Sequence, residues 1–222
     1  MRDNFERQLM QLNTELITMG ALCEDAIDCA VKCLRESDKK AKENAADLEK
    51  QIDRKERDIE TMCLRIILHQ QPVAADLRTV SSALKMISDM ERIGDQAYDI
   101  SEIAEYVADR EITNEVHIAD MAETAAKMVT MSVESFVKRD IGLARAAIAL
   151  DDKVDELFLK VKSGLIEAVR QGEDNGETLI DLLMIAKYFE RIGDHAENIA
   201  EWVIYSVTGS RSATGEQLIF DE

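Results

Sequence analysis

The sequence predicts an all-α fold built from two tandem three-helix bundles, and three observations lead to that prediction. The 222 residues include 1 Pro and 9 Gly, and aromatic residues make up 5% of the chain, whereas a β-sandwich or barrel needs many more turn residues and aromatics. Apolar residues recur at helical spacing along almost the whole chain. A five-residue sequence also occurs twice, which indicates that one three-helix unit has been duplicated.

Six long helices are predicted from the few places where the helical periodicity is interrupted. Ser37 is suited to cap the second helix. Pro72, the only proline, interrupts the chain after that helix, in a position that suits the first turn of the third. Asp140 is suited to cap the fifth helix, which we expect to continue to about Arg170. The predicted ranges are about 3–36, 37–69, 72–107, 115–138, 140–170 and 176–207.

The second half of the chain repeats the first. The sequence Glu-Arg-Ile-Gly-Asp begins at Glu91 and begins again at Glu190, 99 positions later. In the preceding helix of each half, an acid-x-x-x-Asp pattern also recurs. These repeats predict a first three-helix domain over 1–110, a second over 111–208, and a flexible C-terminal tail over 209–222.

The overall charge excludes several classes of function. The net charge is −18, which argues against binding to the phosphate backbone of nucleic acids and against docking on an anionic lipid surface. No apolar stretch approaches the ~20 residues of a membrane span, and the N-terminus lacks the apolar region of a signal peptide. The four cysteines form no Cys-x-x-Cys pair, so we interpret them as reduced core residues. A cytoplasmic location is expected.

Carboxylates form one stripe on the second helix and another on the third, because residues four apart share one helix face. Folding these helices back on each other near Pro72 brings Glu49 and Asp53 level with Asp95 and Glu91. The second half repeats this arrangement. Like charges at this spacing destabilise a helix by a few tenths of a kcal/mol, and a cation would remove the repulsion. Oxygen-only ligation favours magnesium, calcium or manganese, with iron also possible.

Two other interpretations of the acidic stripes are kept open. In a chain this acidic, a stripe of carboxylates is often only a solvated surface. The stripes would alternatively serve a metal-dependent enzyme, a hydrolase or an oxidase. The three histidines, however, include no Glu-x-x-His, the pattern of di-iron carboxylate oxidases. Phosphate-binding Gly-rich loops and nucleophile elbows are also missing from the sequence. A protein without catalytic residues is therefore favoured.

The chain resembles the PhoU family, the accessory proteins of the phosphate-specific transport system, over about residues 3–207. The resemblance lies in the two Glu-Arg-Ile-Gly-Asp sequences and in the segment Gln-Pro-Val-Ala-Ala-Asp-Leu-Arg that begins at Gln71. It implies two three-helix bundles with metal clusters, reported as iron or zinc among others. The metal ligands that it implies are Glu49, Asp53, Glu91, Asp95 and Asp99 in the first half, and Asp151, Asp155, Glu190, Asp194 and Asn198 in the second.

The resemblance also implies a function that no spacing reveals. Members of the family are negative regulators of phosphate uptake and of the phosphate-starvation (Pho regulon) response. The implied partners are the ATPase subunit of the phosphate ABC transporter and a membrane sensor histidine kinase, and a homodimer is common. The expectation is therefore a metal-binding adaptor that is not an enzyme and that neither binds nucleic acid nor inserts into a membrane.

Overall fold

A computed structural model of the chain describes residues 2–36, 39–107, 117–172 and 176–211, and all the regular elements in these residues are α-helices. Helices α1 to α3 form one three-helix bundle, and α4 to α7 form a second, in which the short α5 and the long α6 together correspond to α2. This confirms the predicted all-α fold with six long helices. The helices are α1 (Arg2–Glu36), α2 (Lys39–Gln70), α3 (Ala75–Val107), α4 (Ile118–Lys138), α5 (Ile141–Ile148), α6 (Asp151–Gln171) and α7 (Gly176–Thr208).

The fifth predicted helix is interrupted, and this part of the prediction is wrong. Asp140 does cap its start, because the Asp140 carboxylate accepts a hydrogen bond of 3.0 Å from the backbone N–H of Leu143. The helix then stops at Ile148, and a new helix begins at Asp151 after a two-residue turn. No glycine or proline marks this turn, so the sequence carried no signal for it.

The link between α2 and α3 also differs from the prediction. α3 begins at Ala75, so Pro72 lies in the link and not in the first helical turn. Gln71 and Ala74 both adopt left-handed backbone conformations, with φ angles of 45° and 47°, and these reverse the chain within four residues. The predicted cap at Ser37 and the predicted helix start near position 115 lie outside the described residues, as do positions 212–222 of the predicted tail.

One apolar core runs through both bundles. Helices α3 and α7 pack against each other, and Ile93 and Ala97 of α3, like Ile192 and Ala196 of α7, are completely buried. Both copies of the repeated sequence therefore lie on helices that are in contact. Among the described helices, none is both long enough and apolar enough to span a lipid bilayer.

Candidate metal centre

The first acidic cluster lies between α2 and α3. Three carboxylate oxygens, one each from Glu49, Asp53 and Asp95, lie within 4.8 Å of one another. Glu91 and Asp95 are one helical turn apart on α3, and their side chains are 22% and 30% exposed. The hairpin of α2 and α3 therefore brings acids from two helices to one place that water can still reach.

Burial and mutual repulsion make these carboxyls harder to ionise. The pKa of Glu49 is raised first by burial and then by the charges of Asp53 and Asp95. The pKa of Glu91 is raised by burial and by Asp95, and that of Asp99 by burial, Asp95 and Glu102. The neighbouring negative charges, which add to the effect of burial, are the part of this environment that would stabilise a cation bound there.

Two arginines partly neutralise the first cluster. The Arg92 guanidinium donates a hydrogen bond of 3.2 Å to Asp95 and lies 3.5 Å from Glu91. Arg57 donates to Asp53, also at 3.2 Å. Even with Arg92 beside it, burial keeps the pKa of Asp95 raised. The arginines therefore orient the carboxylates but do not remove the excess of negative charge.

The second acidic cluster lies between α6 and α7 and centres on Asp151. Burial raises the pKa of this carboxyl to about 7, with further contributions from the charges of Glu197, Asp194, Asp155 and Glu190. One carboxylate oxygen of Asp151 is buried and has no hydrogen-bond partner. A buried polar atom without a partner is costly, so this oxygen is suited to receive a ligand.

Glu197 is a member of the second cluster that the sequence analysis missed. It contributes the largest charge effect on Asp151, and its own pKa is raised by burial and by the charges of Glu201 and Asp194. The residue 99 positions earlier is Tyr98, so a search for repeated acids passes over it. The available signal was its spacing from Asp194, since residues three apart share a helix face.

The carboxylates of the two clusters are not equally close to one another. In the part of the chain that the structure describes, only the first cluster brings three carboxylate oxygens within 4.8 Å of one another. In the second, Lys187 forms an ion pair with Glu190, and Asn198 accepts a hydrogen bond from Arg211. Asp155 and Asp194 are exposed. The second cluster is therefore more open than the first, and like the first it is partly neutralised by two cationic side chains.

Both sets of residues have the chemistry that a hard cation requires. Their donor atoms are carboxylate oxygens, which magnesium, calcium, manganese and iron accept as ligands. Neighbouring acids add to burial in raising the pKa values of Glu49 and Asp151, so carboxyls are close to one another in both places. The buried oxygen of Asp151 without a partner is a further sign of fit.

Comparison with known proteins identifies the family. A family model described as the PhoU domain matches residues 16–104 and again residues 118–203. The chain belongs to the PhoU family. It is 31% identical to a protein of Clostridium acetobutylicum named phosphate-specific transport system accessory protein PhoU homolog, over 95% of this chain and 97% of that protein. A Deinococcus radiodurans protein of the same name is 32% identical over 95% of this chain and 100% of its own length.

Solved PhoU structures have the same fold. The crystal structure of PhoU from Pseudomonas aeruginosa is similar with a TM-score of 0.84 at 30% identity, over 93% of this chain and all of that chain. The phosphate transport system regulatory protein PhoU from Streptococcus pneumoniae gives a TM-score of 0.86 at 22% identity, over 94% of this chain and 99% of that chain. At that identity, the second comparison shows the fold alone.

The repeated glycine has a different environment in each PhoU repeat. A Cβ atom on Gly94 would lie 2.8 Å from Cδ1 of Ile52, so this glycine allows α2 and α3 to approach closely. A Cβ atom on Gly193 would lie 3.0 Å from a carboxylate oxygen of Asp151. The first glycine therefore serves helix packing, and the second leaves room for the central acid of its cluster.

A pair of side chains joins the two PhoU repeats beside both clusters. His195 of α7 and Asp89 of α3 are 2.9 Å apart, between Nδ1 and Oδ1, and are 24% and 17% exposed. The repeat gives no sign of this pair, because Gln96 stands in the position equivalent to His195. A bond between the repeats depends on how α3 packs on α7, which the period of a single helix does not reveal.

Proposed function

We propose that this chain is an accessory protein of the phosphate-specific transport system that acts as a negative regulator of phosphate uptake and of the phosphate-starvation response. The observation that carries this proposal is the match of the PhoU domain to both halves of the chain. Relatives named as accessory proteins of that system share about 30% of its residues over nearly the full length. The proposal transfers the role in those names to this chain.

The proposal includes metal binding at both acidic clusters. Glu49, Asp53, Glu91, Asp95 and Asp99 would hold a cation between α2 and α3. Asp151, Asp155, Glu190, Asp194 and Asn198 would hold another between α6 and α7, and we add Glu197 to this second set. The raised pKa values and the unpartnered oxygen of Asp151 support the assignment. Oxygen ligands alone do not distinguish iron, manganese, magnesium, calcium and zinc.

The proposed mode of action is that of an adaptor without catalysis. Its partners would be the ATPase subunit of the phosphate ABC transporter and a membrane sensor histidine kinase. These partners imply a cytoplasmic location. We also expect the chain to form a homodimer. Leu68, Val73 and Leu77, at the end of the α2–α3 hairpin, are 71%, 73% and 41% exposed. Exposed apolar side chains that are close in the chain are candidates for protein contact surfaces, so this end of the hairpin is a suitable place for a partner.

A gene deletion tests the regulatory role. In the organism that encodes the protein, the deletion should raise transcription from phosphate-responsive promoters in phosphate-rich medium, and the wild-type gene should restore repression. A gene carrying Asp58→Asn is the matched control and should restore repression as the wild-type gene does. Asp58 is an exposed aspartate of α2 outside the cluster set. Unchanged phosphate control in the deletion strain would contradict the proposal.

Elemental analysis tests the metal sites separately. Asp53→Asn with Asp95→Asn should abolish the first site, because a cation held from two helices loses its charge neutralisation and its bridging geometry together. Bound metal should then fall to the content of the second site alone. Asp155→Asn with Asp194→Asn should spare the first site. If both double variants bound as much metal as the parent protein, the acids would be ordinary surface residues.

One observation favours a second candidate function, that of a metal-dependent hydrolase or oxidase. A carboxyl with a pKa of about 7, as at Asp151, is matched to accept a proton near neutral pH. Metal-loaded protein should be assayed for phosphatase and oxidase activity beside Asp151→Asn. The adaptor proposal expects no activity in either protein. Turnover by the parent that is lost in Asp151→Asn would favour the enzyme.

A further inference from the structure

The chain folds back onto α7 just after that helix ends. Gly209 has a left-handed backbone conformation with φ of 82°, and its N–H donates to the carbonyl of Tyr205 at 2.8 Å. The hydroxyl of Thr208 accepts a hydrogen bond of 3.1 Å from the N–H of Ser210. This turn reverses the chain, so that Arg211 lies beside the third turn from the end of α7, at Asn198, Glu201 and Trp202.

Three contacts hold the Arg211 side chain in this place. Its Nε donates to Glu201 at 3.2 Å, and its Nη2 donates to the side-chain oxygen of Asn198 at 3.3 Å. The guanidinium also lies 4.2 Å from the centre of the Trp202 ring, within the range of a cation–π interaction. Arginine is suited to this combination, because its planar group donates in several directions and stacks on aromatic rings.

These contacts connect Arg211 to the second acidic cluster. Asn198 is one of the candidate metal ligands. Glu201, Glu197 and Asp194 follow one another along α7 at intervals of four and three residues, so they share one face of that helix. The Arg211 guanidinium lies at the outer end of this row, on Glu201.

The first repeat obtains the corresponding positive charge from a different element. Lys42 of α2 forms an ion pair of 2.8 Å with Glu105, and Glu102 further raises the pKa of the Lys42 amine. The offset of 102 residues that relates Asp53 to Asp155 makes Ala144 the residue of the second repeat that is equivalent to Lys42. Ala144 is completely buried. Without a lysine at that position, the second repeat has Arg211 at the outer end of its cluster.

We propose that Arg211 is a built-in counter-cation of the second cluster, and that a divalent cation binding there displaces it from Asn198 and Glu201. This inference rests on the proposed metal-binding function. Breaking an exposed ion pair and a cation–π contact weakens binding of the competing cation about three- to tenfold. The cation affinity of the second site is thus set in part by a residue outside the helical bundle.

The experiment uses the full-length, metal-free chain carrying Asp53→Asn and Asp95→Asn, so that only the second cluster binds. Mn²⁺ is titrated, bound metal is measured by equilibrium dialysis, and the emission maximum of Trp202, the only tryptophan, reports the position of Arg211. Arg211→Ala should bind Mn²⁺ about three- to tenfold more tightly than the parent. Mn²⁺ should move the parent's emission maximum to that of metal-free Arg211→Ala and leave the variant's maximum unchanged.

Two further variants separate displacement from a general effect of charge. Arg170→Ala removes an exposed arginine of α6 whose partner is Glu167, and it should bind like the parent. Arg211→Lys keeps the charge but loses the forked donor and the stacking, so its Mn²⁺ affinity should lie between those of the parent and Arg211→Ala. If Arg211→Ala bound Mn²⁺ no more tightly than the parent, or Mn²⁺ bound without moving the emission maximum, the inference would be wrong while the metal site stood. If no variant bound Mn²⁺, the metal-binding proposal itself would fail.

Discussion

Replacing Asp151 by asparagine should stabilise the metal-free protein, and the gain should depend on pH. Burial and neighbouring acids raise the pKa of Asp151 from 3.8 to about 7 in the folded protein. Because the folded pKa lies above the unfolded one, the folded state binds this proton more tightly. The free energy of unfolding of the wild type should therefore fall as the pH rises from about 4 to about 7, and this contribution should be constant above that range.

The size of the effect follows from the pKa difference. A difference of about three pKa values corresponds to about 4 kcal/mol, at 1.36 kcal/mol for each. Asp151 is only partly buried, so water screens part of the repulsion, and we expect a gain of about 1–2 kcal/mol above pH 7. This exceeds the few tenths of a kcal/mol that a like-charged pair costs on an isolated helix, because several acids act on Asp151 together.

Urea unfolding with a chelator, followed by Trp202 fluorescence, measures the gain at pH 8 and pH 5.5. Both values lie above the isoelectric point of about 4.6, where solubility is lowest. Asp58→Asn, which removes one exposed charge, is the control and should change stability little at either pH. The gain of Asp151→Asn over this control should be larger at pH 8. An equal gain at both pH values, or none, would refute the assignment of a strongly raised pKa.

Three other predictions concern packing, the contact between the repeats, and the cysteines. Gly94→Ala should lower the free energy of unfolding by about 1 kcal/mol, since the clash with buried Ile52 outweighs the gain in helix propensity; an unchanged or higher melting temperature would contradict this. A double-mutant cycle of Asp89→Asn and His195→Ala should give a coupling energy of about 1 kcal/mol in urea unfolding, whereas additive effects would show that the contact contributes nothing. Thiol labelling of the native protein should modify only Cys29, because the other three cysteines are buried, and labelling of all four before unfolding would contradict their core positions.

Much of the fold and of the first cluster was predictable, because both depend on local periodicity. Spacing of four residues places Glu49 with Asp53 and Glu91 with Asp95 on single helix faces. A hairpin with a short link then fixes which acids lie level with each other, and the structure has Glu49, Asp53 and Asp95 together. That these residues bind metal stays a prediction.

Other features were not predictable, because they depend on contacts between distant parts of the chain. The pair of Asp89 and His195 exists only because α3 packs on α7. Arg211 reaches the second cluster through a turn whose geometry is set by Gly209. Glu197 was missed for a different reason, since attention to repeated residues excludes an acid that occurs in one repeat only.

Both clusters hold like charges together, and the apolar core beside them is what makes this possible. Ile52 precedes Asp53 and Val154 precedes Asp155, and both apolar side chains are almost completely buried. Burying one such side chain contributes about 1.5–3 kcal/mol, which exceeds the cost of each like-charged pair at a helix surface. The core therefore keeps α2 on α3 and α6 on α7 although their acids repel. A local electrostatic conflict that the core maintains in both repeats is the kind of conflict expected at a functional site, and the metal analysis of the two double variants tests whether these clusters are such sites.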